Sequence, residues 1–124
     1  VPVLVGDTEL WAPPEAVEER AVSPAGVWLL PPFDEHLLGF TDRGLLVDPA
    51  HAGLLVPGKN GVFGATVVRD GRVVALWKRE PLRDAVRLRV TPLPGEALAS
   101  EELAAPVARL GQFLGAEVVA ELPG

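Results

Sequence analysis

The chain has 124 residues, a formal net charge of −6 and no cysteine, and 48% of its residues are hydrophobic against 23% charged. This length suits one globular domain with its own core, whereas the missing cysteines exclude disulfides and thiolate chemistry. No apolar run reaches the ~18 residues that span a bilayer, and no signal-peptide pattern opens the chain. We therefore predict a cytoplasmic protein with no membrane partner.

The first quarter of the chain reads as short strands separated by turns. Gly6-Asp7 predicts a tight turn between two apolar segments. Pro14 and the acidic residues after it favour a short helix, because both suit the first helical turn. Trp28 lies in a later apolar segment, where we expect it to anchor the core. The predicted elements are strands at Val1–Val5, Glu9–Ala12 and Val27–Leu30 and a helix over Glu15–Arg20.

The most heavily specified stretch is Leu-Leu-Pro-Pro-Phe-Asp-Glu-His-Leu-Leu-Gly-Phe-Thr-Asp-Arg, residues 29–43. Its two prolines fix φ and remove two donors, so the preceding strand must end there. Asp34 at a capping position and Gly39 after it predict a short helix between them, with an apolar cluster of Phe33, Leu37, Leu38 and Phe40. The charged residues of the stretch either cap and pair locally or form a ligand site at Asp34, Asp42 and Arg43.

Two later loops suggest ligand sites but lack the required residues. Asp48 and Pro49 predict the cap and first residue of another short helix, on which His51 could face Asp48. One histidine and one carboxylate are too few for a metal site, so we predict neither a metal nor a cofactor. The turn Lys59-Asn60-Gly61 has no Ser or Thr after its lysine and no helix after it, so it is not a phosphate-binding loop.

The clearest element is a β-hairpin formed by Val62–Arg69 and Arg72–Arg79 around an Asp70-Gly71 turn. A two-residue turn would set Arg69 directly opposite Arg72, where like charges repel. Either the two arginines diverge into water or a phosphate lies between them. The same register would set Trp77 opposite Gly64, and both faces of the hairpin are largely apolar, as in a sheet covered on both sides.

The last third predicts a basic strand, a long helix and a closing strand. The helix has one apolar stripe at helical spacing, suited to covering a sheet, and ends at Gly115. Together the elements predict an α+β fold, a mainly antiparallel sandwich or barrel-like sheet with short helices and one long C-terminal helix packed on it. These last elements are Ala85–Thr91, the helix ending at Leu114 that starts between Glu96 and Ser100, and Glu117–Leu122.

The net charge conceals a strong asymmetry. Residues 59–89 contain eight basic and three acidic side chains, a local net charge of +5, while the remainder has three basic and fourteen acidic ones. If this chain binds double-stranded DNA, it should do so through this basic segment, because positive potential attracts the phosphate backbone.

Three sequence blocks also carry a family resemblance. The first is the 29–43 stretch; the second comprises Lys59–Phe63, Thr66–Val68, Asp70–Val74 and Trp77–Arg79; the third is Leu110 with Phe113–Gly115. In this order they resemble the winged-helix DNA-binding family that contains the AlkZ-like DNA glycosylases, enzymes that unhook alkylated bases and interstrand crosslinks. The resemblance, and an opening at Val1 without methionine, imply that residues 1–124 form a single β-rich C-terminal domain of a longer protein.

The resemblance implies further expectations. Family glycosylases position water with a Gln-x-Gln motif in an N-terminal part, and this chain has only Gln112. We therefore expect no catalytic residues here and expect N-terminal winged-helix domains of the same parent chain as partners. The family's DNA-directed hairpin implies DNA contacts at Lys59 and Asn60; charge alone adds Arg69 and Arg72.

Three functions stay open on the sequence. The first is an accessory DNA-binding domain of a glycosylase-like protein, contacting phosphates or the minor groove. The second is a structural domain that braces neighbouring domains and has no DNA affinity. The third is a small-molecule hydrolase built on Asp34, Asp42 and Arg43.

Overall fold

The computed structural model describes residues 1–18, 26–56, 58 and 60–123. It confirms an α+β fold: a curled five-stranded sheet, a separate two-stranded sheet and a long C-terminal helix. No helix in these ranges is long and apolar enough to cross a membrane. The strands are β1 (Pro2–Val5), β2 (Thr8–Trp11), β3 (Val27–Leu30), β4 (Ala65–Arg69), β5 (Arg72–Pro81), β6 (Val86–Pro92) and β7 (Val118–Glu121). The helices are α1 (Pro14–Glu18), α2 (Glu35–Leu38), a 3-10 helix (Pro49–Leu55) and α3 (Ser100–Leu114).

The large sheet has the order β3-β4-β5-β6-β7. Its first three pairings are antiparallel, and β7 joins β6 in parallel. The parallel pairing follows from α3, which crosses over the sheet between β6 and β7 as parallel neighbours require. The sheet is therefore mainly antiparallel, as predicted, with one mixed edge.

Both faces of the sheet are covered, as the apolar hairpin predicted. One face packs beneath α2 and the 3-10 helix, around Leu37, Val47 and Leu55. The other packs beneath α3, around Leu88 and Leu103. These clusters are the two halves of the core, and the sheet between them positions everything described below.

A β-bulge corrects the predicted hairpin register. Val67 pairs with Ala75 and Val68 pairs with Val73, which leaves Val74 as the extra residue. A bulge bends its strand and increases the local twist, consistent with the curl of the sheet. It also shifts the pairing by one residue, so Trp77 lies opposite Ala65 and not opposite Gly64.

Helix α2 forms as its cap predicts, but the apolar cluster around it is smaller than predicted. The Asp34 carboxylate accepts a hydrogen bond from the His36 N–H at 2.9 Å, and Gly39 follows the helix with a right-handed φ of −66°. Only Leu37 of the cluster is buried, whereas Phe33 and Phe40 are half-exposed. Phe33 and Phe40 lie on either side of α2 and not within it, so the single turn of helix that buries Leu37 does not carry the two phenyl rings inward.

Trp28 is also not the core anchor that its strand predicted. It is 50% exposed, and the guanidinium of Arg109 from α3 lies 4.6 Å from its ring centroid. Arg109 also donates to the Val27 carbonyl at 3.2 Å. Successive side chains of a strand point to opposite sides, and on edge strand β3 this position reaches the margin of α3 instead of the interior.

Helix α3 follows the predicted bounds and ends as predicted at Gly115, whose φ of 65° is the left-handed conformation that glycine adopts readily. Its first turn begins after Ala99, which has no side-chain acceptor. Glu102 compensates by accepting the Ala99 N–H at 2.8 Å. Pro106 lies inside the helix and is buried against the sheet.

The β1–β2 hairpin forms around the predicted Gly6-Asp7 turn. Two of its large apolar side chains are left in solvent: Leu4 is 74% and Trp11 77% exposed. Helix α1 ends at Glu18, and the remaining predicted residues of that helix, 19 and 20, lie outside the described ranges.

Candidate functional site

Of the four predicted DNA-contacting residues, the three that the structure describes lie at two different ends of β4. Arg69 and Arg72 flank the turn that joins β4 to β5 and are paired in register. Asn60 precedes the opposite end of β4, and that strand's length of about 13 Å separates the two ends. Lys59 lies outside the described residues.

Arg69 is held by acidic groups near the start of α3. Its guanidinium donates to the Ala97 carbonyl at 2.9 Å and lies 3.2 Å from both the Glu96 and Glu102 carboxylates. Arg72 donates instead to the Leu45 carbonyl at 3.1 Å. The two guanidinium groups therefore diverge towards different partners, and no phosphate is needed to relieve their repulsion.

Two more arginines of the basic segment are neutralised on the sheet surface. Arg87 and Arg89 both bind Glu80, the latter at 2.8 Å, and Arg87 also lies 3.1 Å from Glu121. The hydrogen bond from Arg89 lowers the pKa of Glu80, and the same bond raises the pKa of Arg89. The local charge of +5 therefore overstates the positive potential at this surface.

Lys78 and Arg79 differ from these ion-paired arginines in lacking a carboxylate partner among the described residues. Both are exposed on β5, and neither forms an ion pair with a carboxylate of residues 1–18, 26–56 or 60–123. They border a groove of about 740 Å³ at the open end of the β4–β5 hairpin. The groove has the size of a ligand site, for which ~300–1,000 Å³ is typical.

The three blocks that carry the family resemblance meet in this groove. The Pro31-Pro32 step comes from the first block, Asn60, Phe63 and Trp77–Arg79 from the second, and Leu110, Phe113 and Leu114 from the third. Trp77 is fixed at the centre because its indole N–H donates to the Leu30 and Thr66 carbonyls at 3.1 and 3.0 Å. Asn60 shapes the rim by accepting the Val62 N–H at 3.1 Å.

A second cavity of about 390 Å³ continues the groove along α3. Four residues line both cavities, so the two form one trough: Pro31, Trp77, Leu110 and Phe113. At the far end lie Trp28 and Arg109, stacked as described above. We call the combined space the aromatic trough; it has cations at both ends and aromatic rings between them.

The charged residues of the 29–43 stretch serve the fold. Asp34 caps α2, Asp42 accepts the Gly44 N–H at 2.9 Å, and Arg43 donates to the Leu37 carbonyl at 2.7 Å. Arg43 also lies 5.0 Å over the Phe63 ring, and His36 bonds the Gly71 carbonyl at 2.9 Å. With Asp34 engaged as a helix cap, the hydrolase hypothesis loses its first residue and is not supported.

The comparisons with known proteins agree with this architecture. Residues 1–113 match the family described as DNA glycosylase AlkZ-like. The chain belongs to the AlkZ-like DNA glycosylase family. The solved structure of the DNA glycosylase AlkZ of Streptomyces sahachiroi has a TM-score of 0.79 and 28% identity to this chain. The match covers 99% of this chain and 33% of that one, so this chain spans about a third of the AlkZ structure. No curated protein matches.

The family resemblance found in the sequence is thus confirmed, while the winged-helix domains that it implies stay a prediction. Sequence reasoning included Lys78 and Arg79 in the basic segment without naming them as contacts, and it missed Arg109 and Phe113 as functional candidates of this AlkZ-like domain. One signal was present for Phe113, because it is an apolar residue outside the apolar stripe of α3. Its phenyl ring is accordingly 85% exposed.

Proposed function

We propose that this chain is an accessory DNA-binding domain of a DNA glycosylase-like protein. In this proposal it holds the phosphate backbone or minor groove of a duplex and does not cleave a glycosidic bond by itself. Membership of the AlkZ-like family supports DNA as the partner. The observation that carries the proposal is the groove where the three family-like blocks meet, beside Lys78 and Arg79.

The proposed DNA-contacting residues are chosen mainly among the cations that no described carboxylate neutralises. Lys59 and Asn60 keep their predicted role, and Lys78 and Arg79 join them because no described carboxylate neutralises either one. Arg72 stays a predicted contact, because it is exposed and its guanidinium donates to the Leu45 carbonyl and pairs with no carboxylate of the described residues. Arg69 would have to exchange two carboxylates for a phosphate, so we expect the weakest contribution from it.

The chemistry itself we assign to other parts of the parent chain. The only glutamine here, Gln112, is exposed on α3, which is no basis for a Gln-x-Gln motif. N-terminal winged-helix domains of the same chain would supply the catalytic residues and most of the DNA surface. A DNA-repair role also agrees with the predicted cytoplasmic location.

Salt dependence tests the proposal. Affinity of the 124-residue chain for a fluorescent duplex, measured by anisotropy at 50 and 200 mM salt, should fall steeply, because bound phosphates release counterions. Lys59→Glu should weaken binding further and reduce the salt slope by about one unit. Arg83→Glu, at an exposed position outside the groove, is the control for the same loss of net charge elsewhere. Binding that is indifferent to salt and to Lys59→Glu would refute the proposal.

The exposed β1–β2 hairpin favours a second function, an interaction domain that braces its neighbours. Leu4 and Trp11 are among the most exposed large apolar side chains of the described residues, and the hairpin's main contacts are between its own two strands. Apolar patches of this kind mark interaction sites. This function predicts that Trp11→Ser lowers the chain's tendency to self-associate, measured by light scattering, with no change in duplex binding.

A further inference from the structure

The aromatic trough has a feature that duplex binding does not explain. Phe113 extends its ring into solvent at the junction of the two cavities, although burying a phenyl ring would stabilise the fold by about 2 kcal/mol. Trp77 lies in the same junction with its indole N–H already bonded, so its edge is fixed while part of the ring borders the cavity. Two aromatic rings therefore border an open apolar space in a domain related to DNA glycosylases.

The trough matches the chemistry of an unpaired nucleotide. Bases stack on aromatic side chains, and this stacking is tolerant of base identity. Phosphates need cations close by, and the trough has Lys78 and Arg79 at one end and Arg109 at the other. A fully paired duplex cannot use the aromatic rings, because its bases are already stacked on each other. An apolar protein segment could fill the space but would leave the cations unmatched.

We infer that the aromatic trough binds an unpaired segment of a DNA strand. Its bases stack on Trp77 and Phe113, and its phosphates lie beside Lys78, Arg79 and Arg109. This inference rests on the proposed function and adds to it the structural class of DNA that is recognised. Duplex regions on either side of the unpaired segment would still be held by backbone contacts.

The test compares two oligonucleotide duplexes with the 124-residue chain at one salt concentration. One is fully paired; the other has the same length and an unpaired bulge that contains 2-aminopurine. We expect about tenfold tighter binding of the bulged duplex, measured by anisotropy. We also expect quenching of the 2-aminopurine fluorescence on binding, because an aromatic side chain stacks on the base.

Phe113→Ala tests whether the trough is responsible for the preference for the bulged duplex. It should abolish the preference and the quenching, so that the variant binds the bulged and the paired duplex with equal affinity. The matched control is Phe40→Ala, which removes a phenyl ring that is 53% exposed and lies outside the trough. Since both rings are exposed, circular dichroism should show that both variants fold.

The outcomes separate this inference from the proposed function. Equal binding of the two duplexes, or a preference that survives Phe113→Ala, overturns the unpaired-strand inference and leaves duplex binding standing. Equal binding of the two duplexes would also favour a protein segment as the occupant of the trough. Failure to bind either duplex overturns both proposals.

Discussion

The two ends of the β4–β5 hairpin carry similar charges in sequence and behave differently in the structure. At the turn end, Arg69 is enclosed by two carboxylates and a carbonyl, and Arg72 is fixed to a loop carbonyl. At the open end, Lys78 and Arg79 are among the residues that line the aromatic trough, and neither has a carboxylate partner in the described chain. A cation can serve a ligand only if the fold has not already neutralised it, so the open end is the better candidate site.

The ion-paired arginines of the basic segment also differ in role from the cations at the open end. Ion pairs with exposed carboxylates contribute little to stability, typically about 0–1 kcal/mol, yet they remove the charge from the surface potential. The pairs at Arg69, Arg87 and Arg89 thus change the electrostatics of the basic segment more than its folding. The following changes test this contrast, beginning with the helix that contributes to both ends.

Helix α3 supplies Glu102 to the turn end and Phe113 to the trough. Leu103, on the buried side of this helix, is only 1% exposed. Leu103→Ala should therefore leave a cavity and lower the free energy of unfolding by about 2–5 kcal/mol. Urea denaturation measures the loss. Phe113→Ala in the same helix is the control and should stay within about 0.5 kcal/mol; an equal loss would mean that the ring is not free at the surface.

Charge reversal compares the two ends directly. Lys78→Glu combined with Arg79→Glu should weaken duplex binding at least about tenfold and reduce the salt slope by about two units. Arg69→Gln should change affinity far less, because that guanidinium is already neutralised. Anisotropy titrations at matched salt give both values. A greater effect of Arg69→Gln would move the DNA contact to the turn end and contradict our assignment.

A substitution of Glu102, followed through an acid titration, probes the turn end. The hydrogen bond from the Ala99 N–H, and then the Arg69 guanidinium, lower the pKa of Glu102 below its usual 4.5. This stabilisation is present above pH 4.5 and is lost as the pH falls through the lowered pKa. We expect Glu102→Gln to melt lower than the parent chain near neutral pH and to approach it in acid. Glu101→Gln, its exposed neighbour, should not converge in this way.

The smallest effect is expected at the far end of the trough, where Arg109 stacks on Trp28. Arg109→Ala removes the cation–π contact with Trp28, worth about 0.5–1 kcal/mol at an exposed site, and one bond to a carbonyl. We expect a slightly lower melting temperature and a change in tryptophan emission. Arg83→Ala, an exposed cation outside the trough, should give neither effect.

Much of the fold could be predicted from the sequence because its signals are local. Alternating apolar residues, the Asp34 and Asp48 caps and Gly115 each act within one turn or strand, and the elements formed close to their predicted bounds. The predicted pairing of Arg69 with Arg72 is confirmed, but the register beyond Val68 was wrong, because a bulge at Val74 leaves no trace in a strand that is apolar on both faces. The burial of Trp28 and Phe40 was wrong because hydrophobicity alone does not say whether another element covers the residue.

The sequence by itself determined the class of fold, the order of its elements and the family, since propensities, caps and motif order depend on neighbouring residues. Only the tertiary structure decided which cations remain available and which segments share a groove. Glu96 and Glu102 reach Arg69 across 27 and 33 residues, and Pro31, Trp77 and Phe113 meet only when β3, β5 and α3 pack together. Contacts between distant segments depend on how the sheet curls and how α3 lies on it, and no local pattern specifies either.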